Sequence, residues 1–369
     1  TYTANQATGT TIGTDKIINF ENILSGSGDD TLIGSSGLNS IYSGLGNDFI
    51  YGGAGDDKLY GEEGNDTIVG GVDNDTIDGG EGIDTVSYFD ASSVTLSLRG
   101  SSYGTAIATY GGTTGTTYND RLYSIENVIG SSGHDTIQGN EEDNVLDGAG
   151  GKNTVSYSGA AAGVTVDLGI ESAQNTGDGN DTLLRFSNLT GSSQDDILKG
   201  NNNSNIIKGG NGADIIYGIG GSNFLYGESG NDTFIGKVAG SDFIDGGAGS
   251  NKVDYSSLTQ ANSITVNLGT TTTFNDENSV SQTVYQISIN GGSSDYIKDI
   301  SIFEGSVGDD IFTVTNGTYE FIGGSGDDTF NGTNFTGVVI NGSNHTIDSS
   351  GTQGAINAYA TKGDTVDYS

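Results

Sequence analysis

Hydrophobic side chains recur at every ninth residue between residues 25 and 87. The seven consecutive phrases are SGSGDDTLI, GSSGLNSIY, SGLGNDFIY, GGAGDDKLY, GEEGNDTIV, GGVDNDTID and GGEGIDTVS. One aliphatic residue in nine cannot form a helix face, which needs three or four in two turns. It fits a very short strand with one inward side chain, followed by a glycine turn. The pattern therefore predicts coils of two strands and two turns, in which residues eighteen apart stack at ~4.8 Å.

The sixth position of every phrase is Asp or Asn, and the stacking divides these residues into two columns. One column holds Asp30, Asp48, Asp66 and Asp84, and the other holds Asn39, Asp57 and Asp75. Carboxylates ~4.8 Å apart repel by roughly 1 kcal/mol in water and roughly 3–4 kcal/mol at an effective dielectric near 20. Such a column needs cations between its members. Ca²⁺ accepts the irregular oxygen shell that carboxylates and turn carbonyls provide, so we predict several bound Ca²⁺ ions.

These phrases resemble the nonapeptide G-G-x-G-x-D-x-U-x of the RTX (repeats-in-toxin) proteins. The resemblance implies an all-β fold, a right-handed parallel β-roll or β-helix solenoid with Ca²⁺ held between successive sixth-position aspartates and by turn carbonyls. It further implies type I secretion from a Gram-negative bacterium, folding on external Ca²⁺ and an export signal at the far C-terminus. We therefore expect a protein that is secreted or lies on the cell surface.

A longer repeat organises the rest of the chain. An opening phrase recurs at 17–32, 122–137, 183–198 and 297–312, and a closing phrase ending in Tyr recurs at 84–88, 153–157, 251–255 and 364–368. Alternating strands follow the first three closings, at 94–98, 164–168 and 264–268. We predict four repeat blocks, 1–98, 99–168, 169–268 and 269–369, on one continuous solenoid. The long connections between them should form β-excursions on its side.

The later blocks carry fewer predicted metal ligands than the first. These ligands are Asp135 in the second block, Asp196, Asp214, Asp232 and Asp242 in the third, and Asp310 and Asp328 in the fourth. In the third block the column with Asp242 also holds two asparagines, which supply neutral oxygens and can cap the turn themselves. We expect that edge to be metal-poor. The loop with Asp178, Asn180 and Asp181 fits either a separate Ca²⁺ loop or a solvated acidic turn.

Composition agrees with folding that depends on metal. The chain has 48 acidic and 12 basic residues, a net charge of −36, 64 glycines and no Pro, Cys, Met or Trp. High charge with modest hydrophobicity favours the unfolded state until a ligand binds the folded one. The acidity argues against nucleic acid and anionic lipid as partners, and no apolar run suggests membrane insertion. The two histidines, His134 and His345, lie far apart in polar turns, and HExxH and GxSxG motifs are absent, so we expect no enzyme.

Two functions fit the sequence. The first is a structural Ca²⁺-folding module, monomeric, within a large secreted adhesin or surface protein, with other chains of that protein as partners. The second is a solenoid that binds a cell-surface polysaccharide or ice, although the mixed seventh positions fit ice poorly. An accessory tail of a secreted polysaccharide-active enzyme would resemble the first. Both ends look cut from longer repeats, so we expect the chain to be a fragment.

Overall fold

The computed structural model consists of short strands joined by turns. It describes residues 5–9, 13–17, 21–111, 115–315, 317–332, 338–342, 346–349, 356–360 and 365–367. Within these ranges the only helix is one 3₁₀ turn, Gln260–Asn262, and no helix there has the length and apolarity to span a membrane. The chain forms two compact units: the first contains Thr1–Ala160 and Ile170–Asn188, and the second contains Ala161–Gly169 and Leu189–Ser369.

In the first unit the strands form two stacks, and successive strands of the nonapeptide run belong to them in turn. One stack contains Asn5–Gly9, Gly13–Ile17, Thr31–Ile33, Phe49–Ala54, Thr67–Val72, Thr85–Ser87, Asn127–Ile129, Val145–Asp147, Gln174–Asn175 and Asn180–Leu184. The other contains Asn22–Leu24, Ser40–Tyr42, Lys58–Glu63, Thr76–Glu81, Ser93–Ser97, Gly104–Tyr110, Thr116–Tyr123, Thr136–Gln138 and Asn153–Ser156. Strands of the nonapeptide run pair in parallel, with Ile41 opposite Leu59 and Leu32 opposite Ile50. The predicted eighteen-residue coil is confirmed.

The eighth residue of each nonapeptide forms the core between the two stacks. Leu32, Ile41 and Ile50 are 0% exposed, and so are their counterparts up to Val86. In Thr31–Ile33 and Ser40–Tyr42 the strand neighbours of this residue are half-buried. A strand of three residues buries only its central side chain because successive side chains point to opposite faces.

The first excursion (residues 93–123) is part of the sheet. Ser93–Ser97, Gly104–Tyr110 and Thr116–Tyr123 form an antiparallel meander. Its last strand pairs in parallel with Thr76–Glu81, and its first pairs in parallel with Thr136–Gln138. This excursion exists as predicted, but its expected place on the side of the solenoid was wrong. Insertion between coils satisfies backbone N–H and C=O groups that a projecting hairpin would leave on open edges.

The second unit repeats this plan. One stack contains Thr165–Asp167, Ile197–Lys199, Ile215–Tyr217, Thr233–Ile235, Lys252–Asp254, Ile302–Glu304, Glu320–Gly324, Val338–Gly342 and Ile356–Ala360. The other contains Ile206–Asn211, Phe224–Ser229, Phe243–Asp245, Ile264–Asn275, Ser281–Ile289, Ser294–Lys298, Ile311–Val314, Thr329–Gly332, Thr346–Ser349 and Thr365–Asp367. The strand Phe186–Thr190 contains the point where the chain passes from the first unit to the second. The strands within 264–298 form a second inserted meander with the same parallel pairings at its two ends. Both units are all-β parallel β-rolls.

Candidate metal sites

Sixth-position residues are joined along each column by hydrogen bonds from one coil to the next; each such step is called a rung. The backbone N–H of Asp30 donates to Oδ1 of Asp48 at 2.6 Å, and that of Asp48 donates to Oδ1 of Asp66 at 2.8 Å. The opposite column has the same bonds. Asp310 donates in this way to Asp328 at 2.9 Å. The rung thus uses one oxygen of each carboxylate and leaves the other for a further partner.

That other oxygen, Oδ2, lacks a hydrogen-bond partner in seven of the predicted ligands, all of them buried. They are Asp48, Asp57, Asp66, Asp75, Asp84, Asp214 and Asp232. An ionised group without a partner inside a protein costs on the order of several kcal/mol. Each of these oxygens therefore requires a cation or a proton.

A glycine five residues before the aspartate creates room beside six of these oxygens. A Cβ built on Gly61 would collide with Asp66 Oδ2 and with the carbonyl oxygen of Gly79. The turn that contains Gly227 has the same arrangement. Two facing oxygens without a donor between them repel each other, and a cation would remove that repulsion. The glycine keeps this space open.

The Asp48 rung differs because Ser43 stands where the other six turns have glycine. Ser43 Oγ donates to the carbonyl oxygen of Gly61 at 2.7 Å. A hydroxyl therefore already satisfies the turn carbonyl in this rung.

Burial raises the pKa of these carboxyls. The pKa reaches about 6 for Asp66 and Asp84, about 7 for Asp57 and Asp214, and about 9 for Asp75. Desolvation is the largest cause in each case and neighbouring carboxylates add to it, whereas the N–H bond from the preceding coil opposes it. Ionisation is thus unfavourable inside the fold unless positive charge is supplied.

The donor set fits Ca²⁺. No group of three or more His, Cys, Asp or Glu side chains forms a metal cluster in the ranges that the structure describes. A cation at these rungs would therefore combine carboxylate oxygens with turn carbonyls. Such an all-oxygen, partly backbone shell is one that Ca²⁺ accepts.

The first sixth-position aspartate of each repeat block accepts a hydrogen bond from a serine. Ser131 donates its backbone N–H and its hydroxyl to Asp135, both at 2.7 Å. The serine four residues before Asp196 and before Asp310 makes the same two bonds. Asp30 also accepts a serine hydroxyl. These four predicted ligands have protein donors. Before each of the three later aspartates the turn begins with Gly-Ser, as in GSSGHD, and this pair is the sequence signal of the serine contact.

Asp242 receives a cation from the protein itself. Lys237 Nζ lies 2.6 Å from its Oδ1 and 2.5 Å from its Oδ2. The carboxylate is 2% exposed and the lysine side chain 14%. The Lys237 ammonium thus supplies positive charge at this rung, whereas other rungs present two facing oxygens.

Asparagines close their turns with their own amides. Asn39 Oδ1 accepts the N–H of Ser35 at 2.8 Å. Asn153 Nδ2 donates to the carbonyl oxygens of Gly148 and Gly150 at 2.6 and 2.8 Å. An amide therefore supplies both the acceptor that an aspartate would offer and a donor for the carbonyls that would otherwise face a cation.

The acidic loop outside the nonapeptides is held by protein donors. Asp178 forms an ion pair with Arg99, and the N–H of Asn180 donates to a neighbouring aspartate. Asp181 Oδ2 accepts the hydroxyl of Tyr157 at 3.0 Å and a threonine hydroxyl at 2.9 Å. These contacts favour a structural acidic turn over a separate Ca²⁺ loop.

The columns cross the excursions through contacts that the nonapeptide spacing does not predict. Asp120 Oδ1 accepts the N–H of Asp75 at 2.8 Å, and its Oδ2 accepts the hydroxyl of the buried Tyr88 at 2.9 Å. Asp181 and Asp295 combine the same two bonds with the tyrosines of the next two closing phrases. These three contacts are the tyrosine–aspartate pairs. The shared tyrosine was their visible signal; the fourth, Tyr368, lies outside the described residues.

His134 has a structural role in a turn. Its Nδ1 accepts the backbone N–H of Lys152 at 2.7 Å. His345 lies outside the described residues. Nothing in the contacts of His134 suggests catalysis.

Comparison with known families agrees with this geometry. A family model described as the RTX calcium-binding nonapeptide repeat (4 copies) matches residues 24–59, 51–86, 125–159, 190–218, 209–237 and 239–257. All seven aspartates with an unpartnered Oδ2 fall within these stretches. No curated protein shows significant similarity to the chain. The nonapeptides, the coil that they build and the family match together show that the chain carries RTX calcium-binding nonapeptide repeats in these stretches.

Proposed function

We propose that the chain is an extracellular Ca²⁺-folding module, a structural and export-assisting part of a large secreted adhesin or surface protein of a Gram-negative bacterium. The observation that carries this proposal is the repeated pair of facing oxygens, a buried carboxylate Oδ2 and a turn carbonyl, as at Asp66 and Gly79. Folding creates these pairs, so a cation that fills them stabilises only the folded state.

The charge of the chain and the affinity of its Ca²⁺ sites together favour folding outside the cell. A net charge of −36 opposes compaction. Extracellular Ca²⁺ modules bind with Kd of about 10⁻⁴–10⁻³ M, so sites of this class stay empty in cytosol and fill outside. The chain would then pass through an export channel unfolded and fold after it.

The polysaccharide-binding alternative has less support. Tyr42 and Tyr60, two ninth-position tyrosines that an aromatic ladder would use, are half-buried and stack on each other with ring centroids 4.5 Å apart and planes at 8°. Each ring therefore turns a face toward the other, and fewer faces remain for a sugar ring.

Circular dichroism and small-angle X-ray scattering test the proposal. In EDTA the chain should be expanded with little β structure, and millimolar Ca²⁺ should produce a compact β-rich form. Identical compact profiles in both conditions would refute folding by metal.

A matched pair of variants tests the ligands. Asp66→Asn should lower the number of bound Ca²⁺ ions and shift the folding midpoint to higher Ca²⁺, because the amide removes the charge but keeps the shape. Glu81→Gln removes the same charge from an exposed side chain and should change neither quantity. Equal effects of the two variants would show that Ca²⁺ responds to net charge alone.

A further inference from the structure

We propose that the first excursion carries a binding site for an uncharged saccharide, in a cavity bordered by Tyr103, Ile107 and Arg121. This activity goes beyond folding by Ca²⁺. The site belongs to the inserted meander and not to the tyrosines of the nonapeptides. Because the meander is paired at both ends with coils of the roll, the cavity requires the folded chain.

Strand alternation brings these side chains to the outer face of the excursion. The buried alanines of Gly104–Tyr110 alternate with Thr105 and Ile107, which are exposed. In the last strand of the excursion the exposed Asn119 and Arg121 lie directly opposite, with Ile107 paired to Asn119 and Thr105 to Arg121. The inward positions are thus used for packing, and the outward positions are left for a ligand.

An aromatic residue borders the cavity next to this face. The cavity has a volume of about 560 Å³, which lies in the range of about 300–1,000 Å³ typical of small-molecule sites. Tyr103 is 38% exposed, and Tyr123 supports its ring, with the two ring centroids 5.4 Å apart. The cavity therefore has one apolar wall that is held in position.

Arg121 adds hydrogen-bond donors to the cavity. The carbon at the centre of its guanidinium lies 5.7 Å from the centroid of the Tyr103 ring. Within the part of the chain that the structure describes, Arg121 takes part in none of the ion pairs. This is unexpected in a chain with 48 acidic and 12 basic residues. The guanidinium N–H groups remain available to a ligand.

A neighbouring turn adds acceptors. Asp56 Oδ1 accepts the backbone N–H of Asn74 at 3.0 Å, and Asn74 Oδ1 accepts that of Asn119 at 3.0 Å. These bonds connect the turn to the last strand of the excursion. Among the described residues, Asp56 Oδ2 and the side-chain amide of Asn119 have no hydrogen-bond partner, so both can contact a ligand.

This combination of groups fits a saccharide. Tyr103 and Ile107 suit the C–H groups of a sugar ring, and the adjacent donors and acceptors suit hydroxyls, which both donate and accept. An acidic sugar would be repelled by Asp56 and by the buried Asp75 and Asp120, which also border the cavity. We therefore propose an uncharged saccharide.

A peptide added as an extra strand fits this place poorly. Such a peptide needs the open edge of a sheet. Gly104–Tyr110 is paired on both sides, with Ser93–Ser97 and with Thr116–Tyr123. The outer face therefore offers side chains to a ligand, and the backbone groups of the central strand are already used.

The second excursion shows the corresponding place covered by the protein. Tyr296 follows Asp295 as Arg121 follows Asp120, and the strand of each pairs in parallel with a coil of its own unit. Phe274 stacks on Tyr296 with ring centroids 4.4 Å apart and planes at 26°. An aromatic ring of the excursion itself thus occupies the place that stays open beside Arg121.

Isothermal titration calorimetry of the full chain, folded at saturating Ca²⁺, tests the site with uncharged hexasaccharides of glucose, mannose and galactose as probes. We expect at least one of the three to bind. Tyr103→Ala should weaken that binding about five- to tenfold, the factor expected for one aromatic contact. Tyr42→Ala, in the same stack of strands but outside the cavity, should leave the affinity unchanged.

A second pair of variants tests the polar wall. Arg121→Gln should also weaken binding, whereas Lys152→Gln, at an exposed lysine outside the cavity, should not. Circular dichroism and the number of bound Ca²⁺ ions show that each variant folds. Three results would each overturn the site: no binding of any uncharged probe, binding of a galacturonic acid hexasaccharide alone, or native affinity in both Tyr103→Ala and Arg121→Gln. None of them would affect folding by Ca²⁺, which the ion count measures separately.

Discussion

At the residue scale, the sixth position of the repeat is satisfied in several different ways, including the serine donors at Asp135. Aspartate leaves a buried oxygen that needs a cation, as at Asp66. Asparagine supplies its own donor, as at Asn153. At Asp242 a lysine supplies the positive charge. The sixth residue and the donors beside it therefore decide together whether a rung depends on metal.

Lys237→Ala should add one bound Ca²⁺ ion per chain at saturating calcium. The variant removes the ammonium from a carboxylate that is 2% exposed, and breaking a buried ion pair without replacing the charge costs roughly 3–5 kcal/mol. Ion counting by mass spectrometry of the gel-filtered protein measures the change. Lys58→Ala, at an exposed lysine, is the control; a count that stays the same in Lys237→Ala would contradict the prediction.

At the scale of strands and excursions, the inserted meanders are anchored by the tyrosine–aspartate pairs. Tyr88 is 1% exposed, and its hydroxyl satisfies the carboxylate oxygen that would otherwise be unpartnered at Asp120. The pKa of Asp120 is raised by burial to about 6, and the hydroxyl opposes that rise. A buried phenol therefore stabilises, without metal, a rung where the chain leaves and rejoins the coil.

Tyr88→Phe should lower the free energy of opening of the first excursion by about 1–3 kcal/mol, the cost of a buried acceptor left without its donor. Hydrogen exchange of residues 93–123 at saturating Ca²⁺ measures it. Tyr118→Phe removes a hydroxyl from a half-buried ring on the same excursion and should leave exchange unchanged. Equal protection in Tyr88→Phe and the native chain would show that the pair does not anchor the meander.

At the scale of the whole molecule, the net charge of −36 includes two kinds of repulsion that folding must overcome. General repulsion between surface carboxylates is long-ranged and any salt screens it. The facing oxygens inside the rungs are local and buried, and screening reaches them far less.

Monovalent salt should therefore fail to replace calcium. At 1 M NaCl with EDTA the screening length falls to about 3 Å, yet the buried oxygens still lack a coordinating ion, so the chain should remain mostly unfolded. Circular dichroism compares this condition with 5–10 mM Ca²⁺ at low salt, on the order of ten times the Kd of about 10⁻⁴–10⁻³ M of extracellular modules. Full β structure in NaCl and EDTA would mean that charge screening alone folds the protein.

Much of the fold followed from spacing. The period of nine placed Leu32, Ile41 and Ile50 in the core and set the eighteen-residue register, because each nonapeptide offers one aliphatic side chain to the inward face of its strand. The place of the excursions could not be read in this way. Residues 93–97 pair with both a neighbouring hairpin strand and a later coil, and such long-range pairing leaves no local period in the sequence.

By itself, the sequence determined the chemistry available at each sixth position and the columns in which those positions stack, because both depend only on residue type and a constant repeat length. Only the tertiary structure decided which oxygens remain without a partner. The serine beside Asp135, the ammonium beside Asp242 and the tyrosine beside Asp120 reach their carboxylates through turns and inserted strands. Whether a buried carboxylate needs a metal ion depends on every donor within about 3 Å of it. A donor such as Tyr88, 32 residues from Asp120, is brought within that distance by packing rather than by sequence spacing.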